Sequence, residues 1–385
     1  MKKILIFYGS YGGGHLSAAK SIKEYIEKNY TDTDVVMLDC IEYVNKIINK
    51  LTTKAYADMA KNAHWIWKQL YYNSEKNGAL ARIGNAVNRL MAIKLNKLFK
   101  NGAPDLIIST HPFSSQMCAI LKSKGKINSQ IATILTDYAP HRQWLEKPEY
   151  VNYFFVAHDG MVEDLVKRGI DRNKIYSTGI PLSNRFLAHY DKDGILKEFG
   201  LAKNKATVLF FAGGEYGFGK DTTFNILKTI IEEFDNLQVV AIAGKNVKMQ
   251  AKFETLVKET DSEDTVKVLS YTNKVPELMS ISDIVISKPG GLTTTESLAS
   301  GLPIIVINPI PGQEEENAEF LLKHNMAVRI SDGNSCREAI VELLKDGEKL
   351  EDMKEACKSF DKNDSTKNIF LLINELIENN NIINK

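Results

Sequence analysis

A short apolar run, a glycine-rich loop and a segment of helical period follow one another twice in this chain, and that unit commits each half to a parallel α/β sheet. The first apolar run covers residues 3–8; glycines follow, and Ala18, Ile22, Tyr25 and Ile26 then recur at helical spacing over 17–30. Residues 34–38 supply a second strand at the distance a βαβ unit needs. Further strand candidates are 106–109, 131–135 and 153–156, separated by helix-like segments. Their apolar residues run continuously rather than alternate, as in strands covered on both faces. After Gly179-Ile180-Pro181 the pattern restarts: strand 207–212, a glycine loop, helix 222–234, strand 237–242, then strands 267–269, 284–286 and 303–307. A chain of 385 residues exceeds the usual size of one hydrophobic core, so two α/β domains are expected. The last helix-like segment, 366–379, lies beyond the second sheet and is expected to pack back on the first domain.

Between residues 41 and 100 the rhythm breaks into a helical insertion without strands. It carries eleven Lys and Arg against three acidic residues, with Trp65, Trp67, Tyr71 and Tyr72 among them. Basic side chains beside amphipathic aromatics suit the surface of an anionic bilayer; a solvated basic face over an aromatic core is the alternative. The net charge of the whole chain is only +1, which gives no nucleic-acid signature. No stretch approaches the roughly 20 apolar residues that span a bilayer, so membrane contact is expected to be peripheral. Cys40, Cys118, Cys336 and Cys357 are far apart, with no zinc spacing, which fits a reduced, cytosolic compartment.

The glycine loops carry the chemistry. Gly9-Ser-Tyr-Gly12-Gly13-Gly14-His15 joins the first strand to its helix, where backbone amides favour an anion. It fails as a Walker A loop, because His15 and Leu16 stand where Lys and a hydroxyl residue are needed. The dinucleotide pattern started at Gly12 ends on Ser17, although Asp39 at the end of the second strand keeps a dehydrogenase reading open. An imidazole at a helix N-terminus is pushed toward its neutral form, so His15 suits a general base that accepts a proton near neutral pH; a structural histidine is the alternative. The second loop, containing Gly213, Gly214, Gly217, Gly219 and Lys220, resembles a P-loop until Asp221 replaces the metal-binding hydroxyl. An anion site or a tight structural turn remains. The richest segment is 287–296: Lys288, Gly290, Gly291, Leu292 and Thr293 offer close backbone approach and donors, and Glu296 can accept hydrogen bonds from ribose hydroxyls. Gln313, Glu314 and Asn317, after the next strand, match the hydroxyls of a sugar; for the acidic residues there, a helix N-terminus favoured by the macrodipole is the alternative.

These residues resemble glycosyltransferase family 28, in the branch of monogalactosyldiacylglycerol synthases and bacterial diacylglycerol glucosyltransferases. The marks are GSYGGGH at 9–15, THPF at 110–113, TDYAPHRQW at 136–144, TGIPLSNRF at 178–186 and KPGGLTTTESLASGLPI at 288–304, in that order over nearly the whole chain. The resemblance implies a GT-B fold, two Rossmann-like domains with parallel sheets facing across a cleft. The acceptor domain would be 1–180, with the insertion 41–100; the UDP-sugar domain 181–365; and 366–385 a helix returning to the first domain. It implies inverting transfer of a hexose, glucose before galactose, from a UDP-sugar to diacylglycerol, with repeated addition to the product. No metal and no cofactor are called for. By motif position His15 and Asp137 fall at the catalytic centre, Asp137 either orienting His15 or acting as base. UDP-sugar contacts fall on Gly14, Gly213, Gly214, Tyr271, Lys288, Gly290, Gly291, Leu292, Thr293, Glu296, Gln313, Glu314 and Asn317. Acceptor contacts fall on His111, Pro112, Trp144, Trp65 and Trp67, though His111 and Asp137 also suit ordinary loop capping. The expected partners are UDP-sugar, diacylglycerol and an anionic membrane surface, at the cytoplasmic face of the cell membrane. A related transferase acting on a polyprenyl-linked peptidoglycan precursor, a UDP-N-acetylglucosamine 2-epimerase and a non-catalytic UDP-sugar sensor are the competing readings.

Overall fold

The computed structural model describes residues 2–9, 13–44, 92–100, 102–212, 220–330, 333–345 and 347–383. Trp65, Trp67, most of the basic insertion, and Gly213 and Gly214 lie outside the described residues. The described residues divide into two units: those up to Ser183 together with those from Lys362 onward, and those of Asn184–Asp361.

In the first unit β1 (Lys2–Tyr8) leads through α1 (Gly14–Asn29) to β2 (Thr33–Asp39) and the short α2 (Cys40–Val44). Then follow β3 (Leu106–Ser109), α3 (Pro112–Ser123), β4 (Gln130–Ile134), β5 (Tyr153–Val156), α4 (Asp159–Lys167) and β6 (Ile175–Ser177). The strands pair in parallel in the order β2-β1-β3-β4-β5-β6. Because β1 has β2 on one side and β3 on the other, its following helix and that of β3 diverge, and a crevice opens at the carboxyl ends of this pair. The register sets Phe7 opposite Ser109, so Gly9 and His111 leave the sheet side by side.

The second unit runs α5 (Lys192–Phe199), β7 (Ala206–Phe211), α6 (Lys220–Glu233), β8 (Leu237–Gly244), α7 (Val247–Glu259), β9 (Val266–Ser270), α8 (Val275–Ser280) and β10 (Ile284–Ser287). It continues with α9 (Gly291–Ala299), β11 (Ile304–Ile307), α10 (Gln313–Lys323), β12 (Ala327–Ile330), α11 (Gly333–Lys345) and α12 (Gly347–Ser359). Its parallel order, β12-β11-β10-β7-β8-β9, puts the equivalent switch between β7 and β10. Phe210, Ile226, Ile230, Val239, Phe253, Ile286 and Ile305 are among the residues of its core.

From Lys362 the chain re-enters the first unit as α13 (Ser365–Ile383). Ile369, Phe370 and Ile373 are buried against Ile4, Ile6, Ile22 and Ile26, so the end of the chain completes the core that its beginning starts. The start of α13 is fastened to residues 180–182. Ser365 Oγ donates to the Ile180 carbonyl at 2.7 Å, Thr366 Oγ1 to the Leu182 carbonyl at 2.9 Å, and Leu182 N–H donates back to Thr366 Oγ1 at 3.0 Å.

The sequence reading missed β6 and β12. Both are edge strands, and in each the middle or outer residues stay in contact with solvent, so neither has the continuous apolar run that marks a strand covered on both faces.

Candidate functional site

In the first unit a histidine cluster is assembled from three strand ends. His15 sits on the first turn of α1, Thr110 and His111 follow β3, and Thr136 follows β4. His15 Nδ1 lies 2.6 Å from the Thr110 carbonyl oxygen and 2.9 Å from Thr136 Oγ1. A carbonyl can only accept, so Nδ1 bears the ring hydrogen and Nε2 carries the lone pair. His15 is half-buried. Burial holds its pKa down to about 4, against a smaller upward pull from the Thr110 carbonyl. The sequence alone suggests a proton affinity near neutrality; burial lowers it further, and His15 is uncharged throughout the physiological range.

His111 is 3% exposed and meets the His15 ring edge-on, with centroids 4.6 Å apart. Its Nδ1 accepts the Phe113 N–H at 3.2 Å, capping α3, which begins with Pro112 where a missing N–H costs nothing. Burial, then the neighbouring His15, keeps His111 well below the usual histidine range. Gly9 is where it is because of this ring: a Cβ there would lie 2.6 Å from His111 Cδ2. Trp144 is 1% exposed, and its ring centroid stands 6.5 Å from that of His15. It walls the cluster from within the fold. Asp137 adjoins Thr136 in the chain, but the His15 nitrogen that an orienting carboxylate would take is held by Thr110 and Thr136. Asp39, the residue that kept a dehydrogenase reading open, accepts the Ile41 and Glu42 N–H groups, both at 3.0 Å, and so caps α2.

In the second unit the loop after β10 leads into α9, whose N-cap, Gly290, brings no side-chain cap. The N–H groups of the first turn point past Gly290 and Gly291 with the positive end of the helix dipole. Lys288 stands just before them. Burial lowers its pKa, and the charge of Glu314 pulls it back up. Glu314 Oε2 accepts the Ile310 N–H at 2.7 Å, folding the segment before α10 over its own first turn. Asn317 is fully buried and donates from Nδ2 to the Pro289 carbonyl at 2.9 Å, so it ties the two loops together rather than presenting its amide outward. Glu296, one turn into α9, is half-buried, and burial raises its pKa to about 8. It is therefore mostly protonated at neutral pH, not the ionised acceptor that its sequence position suggests. Leu292, Thr293 and Gln313 are half-buried beside these groups. Tyr271, 70% exposed, follows edge strand β9, three strands from β10, roughly 14 Å across the sheet at ordinary strand spacing.

Two contributors escaped the sequence reading. Thr110 and Thr136 are the opening residues of THPF and TDYAPHRQW, and their position inside those two segments was the only signal they offered. Among the described residues no group of three or more His, Cys, Asp or Glu is placed to hold a metal ion, and no helix is long and apolar enough to cross a membrane.

Comparison with known proteins bears on the same residues. The model of the monogalactosyldiacylglycerol (MGDG) synthase family matches residues 15–182, and that of the glycosyl transferases group 1 matches residues 191–360. The chain is 30% identical to a processive diacylglycerol beta-glucosyltransferase of Bacillus pumilus, over 99% of this chain and 96% of that one. Its fold is similar to that of Acinetobacter baumannii MurG, with a TM-score of 0.65 at 12% identity, covering 97% of this chain and all of the other. It is also similar to Anabaena HepE in complex with UDP, with a TM-score of 0.59 at 12% identity over 97% of this chain and all of that one. Two Rossmann-like units with their switch points so furnished define a glycosyltransferase of the GT-B class. Within that class, the chain belongs to the family of the processive diacylglycerol β-glucosyltransferases.

Proposed function

We propose that this protein transfers glucose from UDP-glucose to the free hydroxyl of diacylglycerol with inversion at the anomeric carbon, and adds further glucose to the glycolipid so formed. The observation that carries the reading is His15: a neutral imidazole at a strand-to-helix turn, its Nδ1 committed to the Thr110 carbonyl and its Nε2 left as the proton acceptor. An alcohol is a poor nucleophile until its proton has somewhere to go. In the proposed step Nε2 takes that proton while the hydroxyl oxygen bonds to the anomeric carbon. The bond from that carbon to the β-phosphate oxygen breaks, and its electron pair leaves with UDP.

The second unit supplies what the leaving group needs. The first-turn N–H groups of α9 and the Lys288 ammonium stabilise the charge that grows on the diphosphate. Glu296 is suited to the ribose hydroxyls and Tyr271 to the base, while Gln313 and Glu314 are suited to the hydroxyls of the sugar. His111, Pro112 and Trp144 are buried and back the histidine cluster, so in this reading they shape the acceptor's place from behind it rather than touch the acceptor. In this reading, work on a lipid acceptor calls for association with a membrane surface at its cytoplasmic face; among the described residues no helix is long and apolar enough to cross one.

Incubation with UDP-glucose and diacylglycerol in anionic vesicles, with mass analysis of the lipid, tests the reading. Mono- and diglucosyl products are expected, at a higher rate than with UDP-galactose. UDP release without glycolipid would sink the lipid acceptor. His15→Ala is expected to lower turnover by two or more orders of magnitude, the size of a general-base contribution, with UDP affinity retained.

A further inference from the structure

His15 is held at one nitrogen by two uncharged oxygens that come from different strands. Nδ1 is 2.6 Å from the Thr110 carbonyl and 2.9 Å from Thr136 Oγ1. Since the carbonyl obliges Nδ1 to be the donor, Thr136 Oγ1 meets the same hydrogen as a second acceptor, and the hydroxyl's own hydrogen turns away from the ring. Thr110 is clamped in its turn. Its N–H donates to the Phe7 carbonyl at 3.0 Å, and its Oγ1 reaches the His15 carbonyl at 2.9 Å and the Phe7 carbonyl at 3.2 Å. Thr136 is 5% exposed and follows Leu135, whose N–H donates to the Phe155 carbonyl at 2.9 Å. Both acceptors are thus fixed by the sheet before the imidazole arrives.

These bonds change in strength during the reaction proposed above. While the ring is neutral they are ordinary hydrogen bonds. Once Nε2 has taken a proton the ring is a cation, and both become charge-assisted. A contact that strengthens only as charge develops lowers the barrier rather than the ground state.

We propose that Thr136 is a positioning residue for sugar transfer: its hydroxyl, with the Thr110 carbonyl, fixes the tautomer and orientation of His15 and takes up part of the ring's charge as Nε2 accepts the acceptor's proton. This rests on His15 being the proton acceptor. The arrangement puts neutral oxygens where many catalytic histidines have a carboxylate. The ring therefore gains no standing charge from its orienting partners and gives its proton up again after each transfer. Of the titratable groups, His111 meets the ring edge-on, and Asp137 is next to Thr136 in the chain.

The test uses the full-length protein labelled with ¹⁵N in its seven histidines, with the His15 signals assigned by His15→Gln. In the wild type His15 is expected as the neutral Nδ1–H tautomer from pH 8 down to pH 5.5. Thr136→Asp places a carboxylate against Nδ1 and is expected to bring the ring's titration up into that range. Thr136→Val, close in volume, is expected to lower kcat by about tenfold or more, the loss of one bond to a charged group, with KM for the UDP-sugar unchanged and activity restored in Thr136→Ser. Wild-type kcat in Thr136→Val would overturn the proposal. So would an Asp variant, folded by circular dichroism, whose His15 titration has not moved. Near-normal transfer by His15→Gln is a separate failure: it removes the base itself, whatever the ring signals do in the Thr136 variants.

Discussion

Two residues carry ionisation states that their positions in the sequence do not announce. Glu296 is held near pKa 8 by burial, so it keeps its proton at pH 7. In the proposed complex two ribose hydroxyls donate to it, which favours the ionised form, and binding would release that proton. Between the lowered pKa of the complex and pH 8, UDP affinity is expected to rise with pH, by at most about tenfold per unit. Calorimetry at pH 6, 7 and 8 measures that slope; Glu296→Gln, which cannot ionise, should flatten it to what the phosphates of UDP contribute, and an unchanged slope would show that Glu296 does not titrate on binding. On the first sheet Gly9 leaves room for the His111 ring, which a Cβ would meet at 2.6 Å. Gly9→Ala is expected to displace His111 and, through their edge contact, His15. Turnover should fall at least tenfold while UDP affinity, assigned in the proposed function to the other unit, stays constant. Wild-type kcat in this variant would mean that the ring relaxes without consequence.

At the scale of elements, each switch point puts two loops side by side, and the loops differ in what they do. After β3 the chain makes a cap: His111 closes α3 with its own side chain. After β10 it makes an uncapped helix start, and α9 keeps its N-terminus for something other than a side chain. The first sheet is also covered by α13, from the far end of the chain. Phe370 is 1% exposed, and its ring packs edge-on against Tyr30 with centroids 4.6 Å apart. Phe370→Ala should cost about 3–5 kcal/mol through lost burial and the cavity left behind. A fall of the unfolding midpoint in urea, with the slope unchanged, is the expected reading; a variant as stable as the wild type would mean that α13 is dispensable to this core.

For the whole molecule, the consequence of α13 is that the first unit is discontinuous in the chain. Residues 1–183 expressed alone lack Ile369, Phe370 and Ile373 and are expected to be insoluble or unfolded by circular dichroism, whereas 184–361 retain their own sheet and core. A folded 1–183 fragment would show that the buried face of α13 adds little. The sequence by itself determined the parallel sheets, because continuous apolar runs followed by glycine loops and helical period have few other solutions. It also pointed to the loops proposed to hold the chemistry, because glycines, Lys288, Glu296 and His15 stand at strand-to-helix turns. It did not reveal β6 and β12, whose edge positions leave their apolar pattern broken. Nor did it reveal the proton states of His15 and Glu296, or the part taken by Thr110 and Thr136. Those depend on how deeply a side chain is enclosed and on which distant strand ends meet it. Neither is encoded in local spacing; both were decided only when the sheet placed residues 15, 110 and 136 around one imidazole.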